Sequence, residues 1–386
     1  MNIFLSFLQG RAGHPISAYG FWEYYIKSGI KEAGFAVDEC PDVDWAFALV
    51  RQSEASLAAW KSDAWERTVQ QIKKHPPDIF LSYFYPHHID EGAIREIQKL
   101  GIPCVNFFCD NVRNFTKAPA EFAVFDLNWV PEYKALGMYR KAGFPVIHRP
   151  MPMWVAPEHR ILVEEKLRQV TFIGSCDRQR LSLFESVAAA AGDLPLAIYG
   201  AGWSEGTGVL AANPGDVNYG FRRKLAYQTA FIRKEGIKAY TRKLQQRHLE
   251  ARPSATIKKM LHGKPDFREY VRLSQESMVT VGVNRYESFR FPLNKPDSYS
   301  RLRDIEAPML GACYMTEWTE GLDELYDLDN EILAYKDATD FREKGVRLLA
   351  DTGLRRRLRV KGQKRALNEH SIPVTLQKIK EHFKLP

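Results

Sequence analysis

The chain has 386 residues, of which 45% are hydrophobic and 26% charged, and its net formal charge is +8. This length is too great for one ordinary hydrophobic core, and the composition is that of a globular protein, so we expect two α/β domains. No apolar run approaches the roughly 20 residues that a membrane-spanning helix needs. The five cysteines form no CxxC pair, which argues against a zinc cluster and favours reduced thiols in a cytosolic protein. No basic segment precedes the apolar run at residues 2–8, so we interpret it as a buried strand rather than a signal peptide.

The positive charge is concentrated in one block, residues 221–264. This block has thirteen lysines and arginines against two acids, a local charge of +11, whereas the rest of the chain is slightly acidic. Such a block indicates a partner or a surface rather than a fold. Leu225, Ile232, Tyr240 and Leu244 are spaced as in helices, so we expect a basic helical insertion at about 205–265.

The first half of the chain alternates strand-like and helical patterns. The predicted strands are 2–8, 35–38, 78–84, 102–109 and 123–130, and the predicted helices are 17–33, 60–74, 90–100 and 132–142. Alternation at this spacing predicts a parallel sheet covered on both faces. Four prolines between residues 145 and 157 then indicate an interdomain linker.

The same alternation begins again after the linker. The predicted strands are 170–173, 196–199, 278–283 and 312–316, and the predicted helices are 178–191, 300–310, 340–350, 354–369 and 374–383. We therefore expect a first domain at residues 1–150, a second at 151–370, and a C-terminal helix in 371–386 that packs back on the first domain.

The most specific pattern lies between Tyr299 and His370. Its elements are Arg303-Asp304-Ile305-Glu306-Ala307, Gly311-Ala312, Thr316, Glu331-Ile332-Leu333-Ala334-Tyr335, Leu348-Leu349-Ala350-Asp351, Arg357 and Gly362. The pattern resembles the donor-binding region of the CgeB-like, "glycosyl transferases group 1" proteins. The resemblance implies a GT-B fold, with two Rossmann-like domains facing across a cleft. It also implies a metal-independent hexosyltransferase, of the kind found in polysaccharide biosynthesis, that moves a sugar from a nucleotide-sugar to a saccharide, lipid-linked or polymeric acceptor.

Glu306 is the leading candidate for donor binding. A carboxylate accepts hydrogen bonds from two adjacent ribose hydroxyls, and the matching glutamate has this role in the resembled family. The alternative is a surface glutamate on the helix that pairs with Arg303 or another nearby base. Pro308 lies where the family has a helix-forming residue, so we expect this helix to kink or to start late.

The donor diphosphate needs positive charge and free N–H groups, which helix N-termini supply. The candidates are Ser298, Ser300, Arg301 and Arg303 around the start of the Glu306 helix, and Gly174, Ser175 and Arg180 after the first strand of the second domain. Simple helix capping by the serines and a solvated position for Arg180 are the alternatives. The sequence does not distinguish UDP-, GDP- and dTDP-sugars, and we expect no other cofactor.

Polar side chains follow three predicted strands of the first domain, at the edge where open α/β sheets bind ligands. His14 follows the first strand in a loop that is not GxGxxG, His87 and His88 follow the third, and Asp110 follows the fourth. As general base we rank Asp110 and His14 above His87 and His88. If the reaction retains configuration, these groups only position the acceptor.

Two Asp-x-Asp triplets, 42–44 and 327–329, resemble motifs that hold a divalent cation on a diphosphate. We interpret both as surface acids and predict no catalytic metal.

The basic block fits an anionic membrane surface, a polyanionic saccharide or a nucleic acid backbone, and we prefer the first two. It can also be a solvated insertion. Two rival functions stay open: a nucleotide-sugar epimerase of the same fold, and a non-catalytic polyanion- or nucleic-acid-binding protein built around residues 221–264. We expect a cytoplasmic protein, peripheral on the inner face of the membrane.

Overall fold

The computed structural model describes residues 1–9, 20–50, 52–191, 194–203, 221–246 and 252–385. The chain divides into two compact units. The first comprises Met1–Pro157, Ser300–Met309 and Lys364–Pro386, and the second comprises Glu158–Tyr299 and Leu310–Gln363. In the described ranges, each unit contains a six-stranded parallel sheet with helices. None of the helices that the structure describes is long and apolar enough to cross a membrane.

The sheet of the first unit has the order β2-β1-β3-β4-β5-β6. Its strands are β1 (Asn2–Ser6), β2 (Ala36–Asp38), β3 (Ile79–Tyr83), β4 (Cys104–Phe107), β5 (Leu127–Val130) and β6 (Val146–His148). All the described pairings are parallel. Every residue of β3, β4 and β5 is buried, as expected for strands of a parallel sheet that is covered on both faces.

The helices that follow the first five strands cover this sheet. They are α1 (Gly20–Glu32), α2 (Glu54–Lys74), α3 (Glu91–Lys99), α4 (Asn111–Asn114) and α5 (Tyr133–Ala142). The side chain of Ser53 accepts the N–H of Ser56, so α2 begins six residues before the predicted start at Trp60.

The sheet of the second unit has the order β12-β11-β10-β7-β8-β9 and is also parallel in all its described pairings. Its strands are β7 (Leu167–Ile173), β8 (Leu196–Tyr199), β9 (Leu261–His262), β10 (Ser277–Gly282), β11 (Tyr314–Glu317) and β12 (Leu333–Tyr335). The strand order reverses between β7 and β10, and open α/β sheets bind ligands at such a switch point. The short edge strand β9 lies within the basic block and was not predicted.

The remaining helices follow in chain order. They are α6 (Arg178–Ala191), α7 (Phe221–Glu235), α8 (Ile237–Gln246), α9 (Ala255–Lys259), α10 (Phe267–Glu276), α11 (Arg303–Met309), α12 (Leu322–Leu325), α13 (Ala338–Ala350), α14 (Thr352–Glu369) and α15 (Ile372–Phe383). The segment with α11 packs within the first unit, whereas the sequence analysis assigned it to the second domain. In the first unit α15 packs against α1 so closely that a Cβ at Gly29 would lie 2.6 Å from the side chain of Ile372.

Candidate functional site

The carboxyl end of β4 presents Asp110 on a strained turn. Asp110 has a φ of 63°, a left-handed conformation that costs a non-glycine residue about 1–3 kcal/mol and persists only where its surroundings fix it. The next residue, the buried Asn111, holds the Asp110 backbone in this conformation, because the N–H of Asn111 donates to Oε2 of Glu132 at 2.8 Å. The Asn111 side chain donates to the carbonyl of Phe108 and accepts from the hydroxyl of Tyr139, both at 2.8 Å. Asp110 is therefore held at the sheet edge by a rigid buried network.

Glu132 is a buried carboxyl group that the sequence analysis missed. It immediately precedes α5 but makes no side-chain cap, and its side chain turns to the Asp110–Asn111 turn instead. Burial, and secondly the charge of Asp110, raise the pKa of Glu132 to about 8. Within the described part of the chain, its Oε1 atom is buried without a hydrogen-bond partner.

His88 is not placed as a general base, contrary to its ranking as a candidate. Its Nδ1 accepts the N–H of Tyr85 at 3.1 Å, and its Nε2 donates to the carbonyl of Trp45 at 2.9 Å. The ring is fully buried and stacks on Phe84, and burial lowers the pKa of His88 to about 3. A general base needs a free lone pair within reach of substrate, and His88 has none.

The other two histidine candidates have different positions. His87 is exposed and stacks on His88 with ring centroids 4.5 Å apart. His14 lies outside the described residues, together with the rest of the loop after β1.

The loop after β7, which contains Gly174 and Ser175, is hydrogen-bonded to the residues at the end of β8. The N–H of Gly174 donates to the carbonyl of Tyr199 at 2.8 Å, and the N–H of Cys176 donates to the carbonyl of Ala201 at 2.9 Å. Gly200 has a φ of 147°, and a Cβ there would lie 2.0 Å from the carbonyl oxygen of Gly174. Only glycine fits at position 200.

Arg180 lies over this loop rather than on a solvated helix face. Its Nη1 donates to the carbonyl of Ser175 at 2.8 Å and to the Ser175 hydroxyl at 3.3 Å. Two carboxylates already accept N–H groups at the start of α6: Glu287 from Arg178 at 2.7 Å, and Asp177 from Arg180 at 2.8 Å. This helix start is less suited to an anion than the sequence analysis expected, because acidic side chains occupy it.

The carboxyl end of β10 supplies a cation that the sequence analysis missed. Arg285 donates from Nε to Oε1 of Glu317 at 2.7 Å and from its backbone N–H to Oε2 at 3.0 Å. The buried Asn284 also donates its backbone N–H to Glu317, at 3.2 Å. Nη2 of Arg285 also donates to Oε1, so two guanidinium N–H groups share one carboxylate oxygen and fix the orientation of the side chain. Ser298 forms a β-bridge with Arg285, and its hydroxyl donates to Thr319 at 3.1 Å.

Glu306, on α11, is only 3% exposed. Its Oε1 accepts the hydroxyl of Tyr25, and its Oε2 lies 3.2 Å from Nη1 of Arg303. Burial raises the pKa of the Glu306 carboxyl, and burial together with this carboxylate raises the pKa of Tyr25. The contact with Arg303 matches the alternative interpretation, but that interpretation placed Glu306 on the surface, whereas the side chain is buried. The contact with Tyr25 was not predicted.

The start of α11 lacks the features expected of a phosphate site. The helix has seven residues rather than the eleven predicted, and Asp304 and Glu306 lie in its first turn. The Asp304 carboxylate accepts the N–H of Arg301 at 3.2 Å, while Ser300 precedes the helix as a half-buried residue. Two acids in the first turn oppose anion binding, so the structure does not support Ser300, Arg301 and Arg303 as a diphosphate cradle.

The two Asp-x-Asp triplets make local contacts. Asp44 accepts the N–H of Ala46 at 3.0 Å, Asp42 lies 4.0 Å from Arg67, and Asp327 accepts from the side chain of Asn330 at 3.1 Å. Over the described ranges, no three His, Cys, Asp or Glu side chains come together as a possible metal site.

A family model described as glycosyl transferase-like matches residues 178–381, more than half of the chain. The chain belongs to this glycosyl transferase-like family. The match confirms the resemblance drawn from residues 299–370 and identifies the protein as a glycosyltransferase. It covers Arg285, Glu306 and Glu317, whereas Asp110 and Glu132 lie outside it. No curated protein sequence matches the chain.

Solved structures of glycosyltransferases share the fold over nearly the whole chain. Sucrose-phosphate synthase from Thermosynechococcus elongatus has a TM-score of 0.57 at 13% identity, with 99% of this chain and 98% of that chain covered. AviGT4, a glycosyltransferase of avilamycin A biosynthesis, has a TM-score of 0.54 at 13% identity, with coverage of 100% and 97%. Anabaena HepE in complex with UDP-glucose has a TM-score of 0.54 at 12% identity, with 99% of each chain covered. The glycosyltransferase therefore has the two-domain α/β architecture of the GT-B fold, as predicted.

Proposed function

We propose that this glycosyltransferase moves a hexose from a nucleotide-sugar donor to a saccharide, lipid-linked or polymeric acceptor, without a catalytic metal ion. The observation that carries the proposal is the family match over residues 178–381, which includes the polar ends of the strands where the second sheet reverses its order. Structures of Anabaena HepE, which shares the fold, hold UDP-glucose and UDP.

Arg285 is the cation that we assign to the donor diphosphate. It lies just after β10, one of the two strands at the switch point, and Glu317 fixes its guanidinium. Arg285→Lys keeps the charge but loses the planar pairing, so we expect it to weaken nucleotide diphosphate binding nearly as much as Arg285→Ala. Arg272→Lys is the matched control, because Arg272 pairs with Glu269 and Glu276 on the exposed face of α10.

Glu306 is the residue that we assign to the donor ribose. Its Oε1 has the hydroxyl of Tyr25 as hydrogen-bond donor, the same kind of group that a ribose presents. Binding then exchanges one hydroxyl for another and leaves the carboxylate satisfied, which avoids the cost of a buried unpaired charge.

Asp110 is the base that we assign to the acceptor hydroxyl. We expect Asp110→Asn to abolish sugar transfer while nucleotide binding stays unchanged. The assay combines mass spectrometry of the acceptor with release of nucleoside diphosphate, in the presence and absence of EDTA. Transfer that needs an added divalent cation contradicts the metal-independent mechanism, and an epimerised donor without a sugar-bearing acceptor supports the epimerase instead.

Besides the acceptor, the partner that we assign is an anionic membrane surface, bound by the basic helix pair formed by α7 and α8. Residues 221–246 have eight lysines and arginines against one acid. The basic helix pair is held to the loop after β10, because Glu235 forms a salt bridge with Arg290 and Arg242 donates to the carbonyl of Phe289 at 3.4 Å.

Apolar side chains on the basic helix pair face solvent. Leu225, Tyr227, Ile237 and Leu244 are 52%, 66%, 67% and 43% exposed. Ile237 and Leu244 are seven residues apart on one face of α8, with exposed Lys238 beside them. Exposed apolar groups among cations are the pattern of a helix that lies in the headgroup region of anionic lipid, whereas binding to a soluble polyanion needs only the cations.

Co-sedimentation with lipid vesicles tests this surface. We expect binding to phosphatidylglycerol-rich vesicles and little to pure phosphatidylcholine, and we expect Ile237→Ser with Leu244→Ser to weaken it at least about tenfold. Val346→Ser with Val360→Ser is the matched control, since these valines are 49% and 45% exposed on other helices. Equal binding of both vesicle types overturns the proposal. The proposal is also overturned if the protein binds DNA or heparin tightly and the Ile237/Leu244 variant still binds vesicles. That result favours the polyanion-binding alternative.

A further inference from the structure

Asp110 and Glu132 place two carboxyl groups at one edge of the first sheet. Asp110 follows β4 and Glu132 follows β5, and these strands are parallel neighbours. The two residues are joined through Asn111, whose N–H donates to Oε2 of Glu132. Two acids so arranged cannot both ionise without mutual repulsion, so their environments decide which one keeps its proton.

The surroundings of the two acids differ. Glu132 is 0% exposed, whereas Asp110 is half-buried. Besides Asp110, the titratable groups that face Glu132 are Cys109 and Tyr139. Burial raises the pKa of both well above its ordinary value, so both are neutral near pH 7. A pKa of about 8 likewise leaves Glu132 mostly protonated near pH 7.

The unpartnered Oε1 of Glu132 agrees with this assignment. A buried carboxylate with no protein donor on one oxygen is costly, whereas a neutral carboxyl group in the same place costs much less. Oε2 accepts the N–H of Asn111 in either protonation state, so the turn keeps its support.

We propose that Glu132 is a positioning residue of this transferase: it fixes the Asp110–Asn111 turn and keeps its proton beside Asp110, so that Asp110 alone carries the negative charge. The role of Asp110 as the general base rests on the proposed function. The protonation of Glu132 does not. Pairs of acids whose environments separate their protonation are a known way to obtain one ionised carboxylate of defined position.

The direct test is an NMR titration of the full chain with carboxyl-¹³C-labelled glutamate, in wild type, Glu132→Gln and Asp110→Asn. We expect one glutamate in the wild type to titrate near pH 8, to be absent in Glu132→Gln, and to titrate at lower pH in Asp110→Asn. The proposal is overturned if Asp110→Asn lowers the titration of no glutamate that titrates far above the ordinary range. A raised signal that this substitution leaves unmoved belongs to another buried glutamate such as Glu306. If Glu132→Gln does not fold, wild type and Asp110→Asn still decide.

Transfer rates separate this proposal from the proposed function. Glu132→Gln keeps a neutral group, so we expect it to retain most of the neutral-pH rate and to lose the decline that ionisation of Glu132 causes above pH 8. Glu132→Ala, which removes the support of the turn, should lose at least tenfold in rate with donor affinity unchanged. Full activity of Asp110→Asn refutes the base assignment without affecting the titration. A Glu132→Ala rate equal to wild type refutes the positioning role, and a Glu132→Gln pH profile identical to wild type refutes the retained proton.

Discussion

Tyr25→Phe should change stability and nucleotide affinity in opposite directions. The substitution removes only the hydroxyl that donates to Oε1 of Glu306, whose carboxylate is 3% exposed and also contacts Arg303. A hydrogen bond to a charged buried group contributes about 1.5–3 kcal/mol. We therefore expect the first unit to lose stability of that order.

The same change should favour the donor. In the wild-type protein a ribose hydroxyl has to displace Tyr25, whereas in Tyr25→Phe the carboxylate oxygen lacks this donor. If the full 1.5–3 kcal/mol is recovered on binding, nucleotide affinity rises by roughly 12- to 140-fold. Calorimetric titration with nucleoside diphosphates measures the affinity, and thermal unfolding measures the stability.

Tyr83→Phe is the matched control for Tyr25→Phe. Tyr83 is a buried tyrosine of the same unit whose hydroxyl contacts the sulfur of Cys109 at 3.1 Å. We expect a smaller loss of stability, about 1 kcal/mol, and no change in nucleotide affinity. Weaker nucleotide binding by Tyr25→Phe would refute the exchange of hydroxyls at Glu306.

Three further outcomes follow from individual contacts. Gly200→Ala should lower the free energy of unfolding by denaturant by about 3 kcal/mol or more, because its Cβ would meet the carbonyl of Gly174. The control Gly137→Ala, inside α5, should be neutral or stabilising by up to about 1 kcal/mol. Equal effects of the two substitutions would contradict the close approach at position 200. His88→Ala should lower the midpoint of thermal unfolding strongly, because the cavity and the two lost hydrogen bonds together cost about 3 kcal/mol. His87→Ala should leave the midpoint unchanged. A His88→Ala enzyme that is fully stable but slow would restore His88 as a candidate base. The raised pKa of Glu132 gives a stability contribution that is fully present below pH 4.5 and is lost as the pH rises to about 8, by at most about 1.4 kcal/mol per pH unit. The free energy of unfolding of Glu132→Gln should therefore fall less than that of the wild type from pH 5 to 8. Parallel curves of unfolding free energy against pH would contradict the buried proton.

The elements with regular patterns could be predicted from the sequence. β3 and β4 are continuous apolar runs of strand length, and the helices between the strands carry turn signals such as the glycines at 34 and 101, so the parallel α/β architecture was predicted correctly. β9 has only two residues inside a basic segment, which is too short for a periodic signal. Its place in the sheet depends on pairing with β8, a tertiary contact.

The contacts of the site residues depend on partners far away in the chain. The Tyr25 hydroxyl meets a carboxylate 281 residues away, and the Nε2 of His88 donates to a carbonyl 43 residues away. Neither distance leaves a local pattern. Glu132 resembles an ordinary acidic helix start in the sequence, and only the fold shows that its side chain is buried against the turn of Asp110. Composition and motif thus indicated the class of enzyme, while the protonation and orientation of its acids arise from packing.

Binding of the donor ribose by Glu306 is the claim on which the proposed function most depends, and it can be measured directly. Calorimetry with UDP, GDP and dTDP, and with the analogue of the best ligand that lacks one ribose hydroxyl, is performed on wild type and Glu306→Gln. We expect one diphosphate to bind the wild type at least about tenfold more tightly than Glu306→Gln, and removal of the hydroxyl to weaken binding only when Glu306 is present. Equal affinity of the two proteins for every nucleotide would contradict that claim.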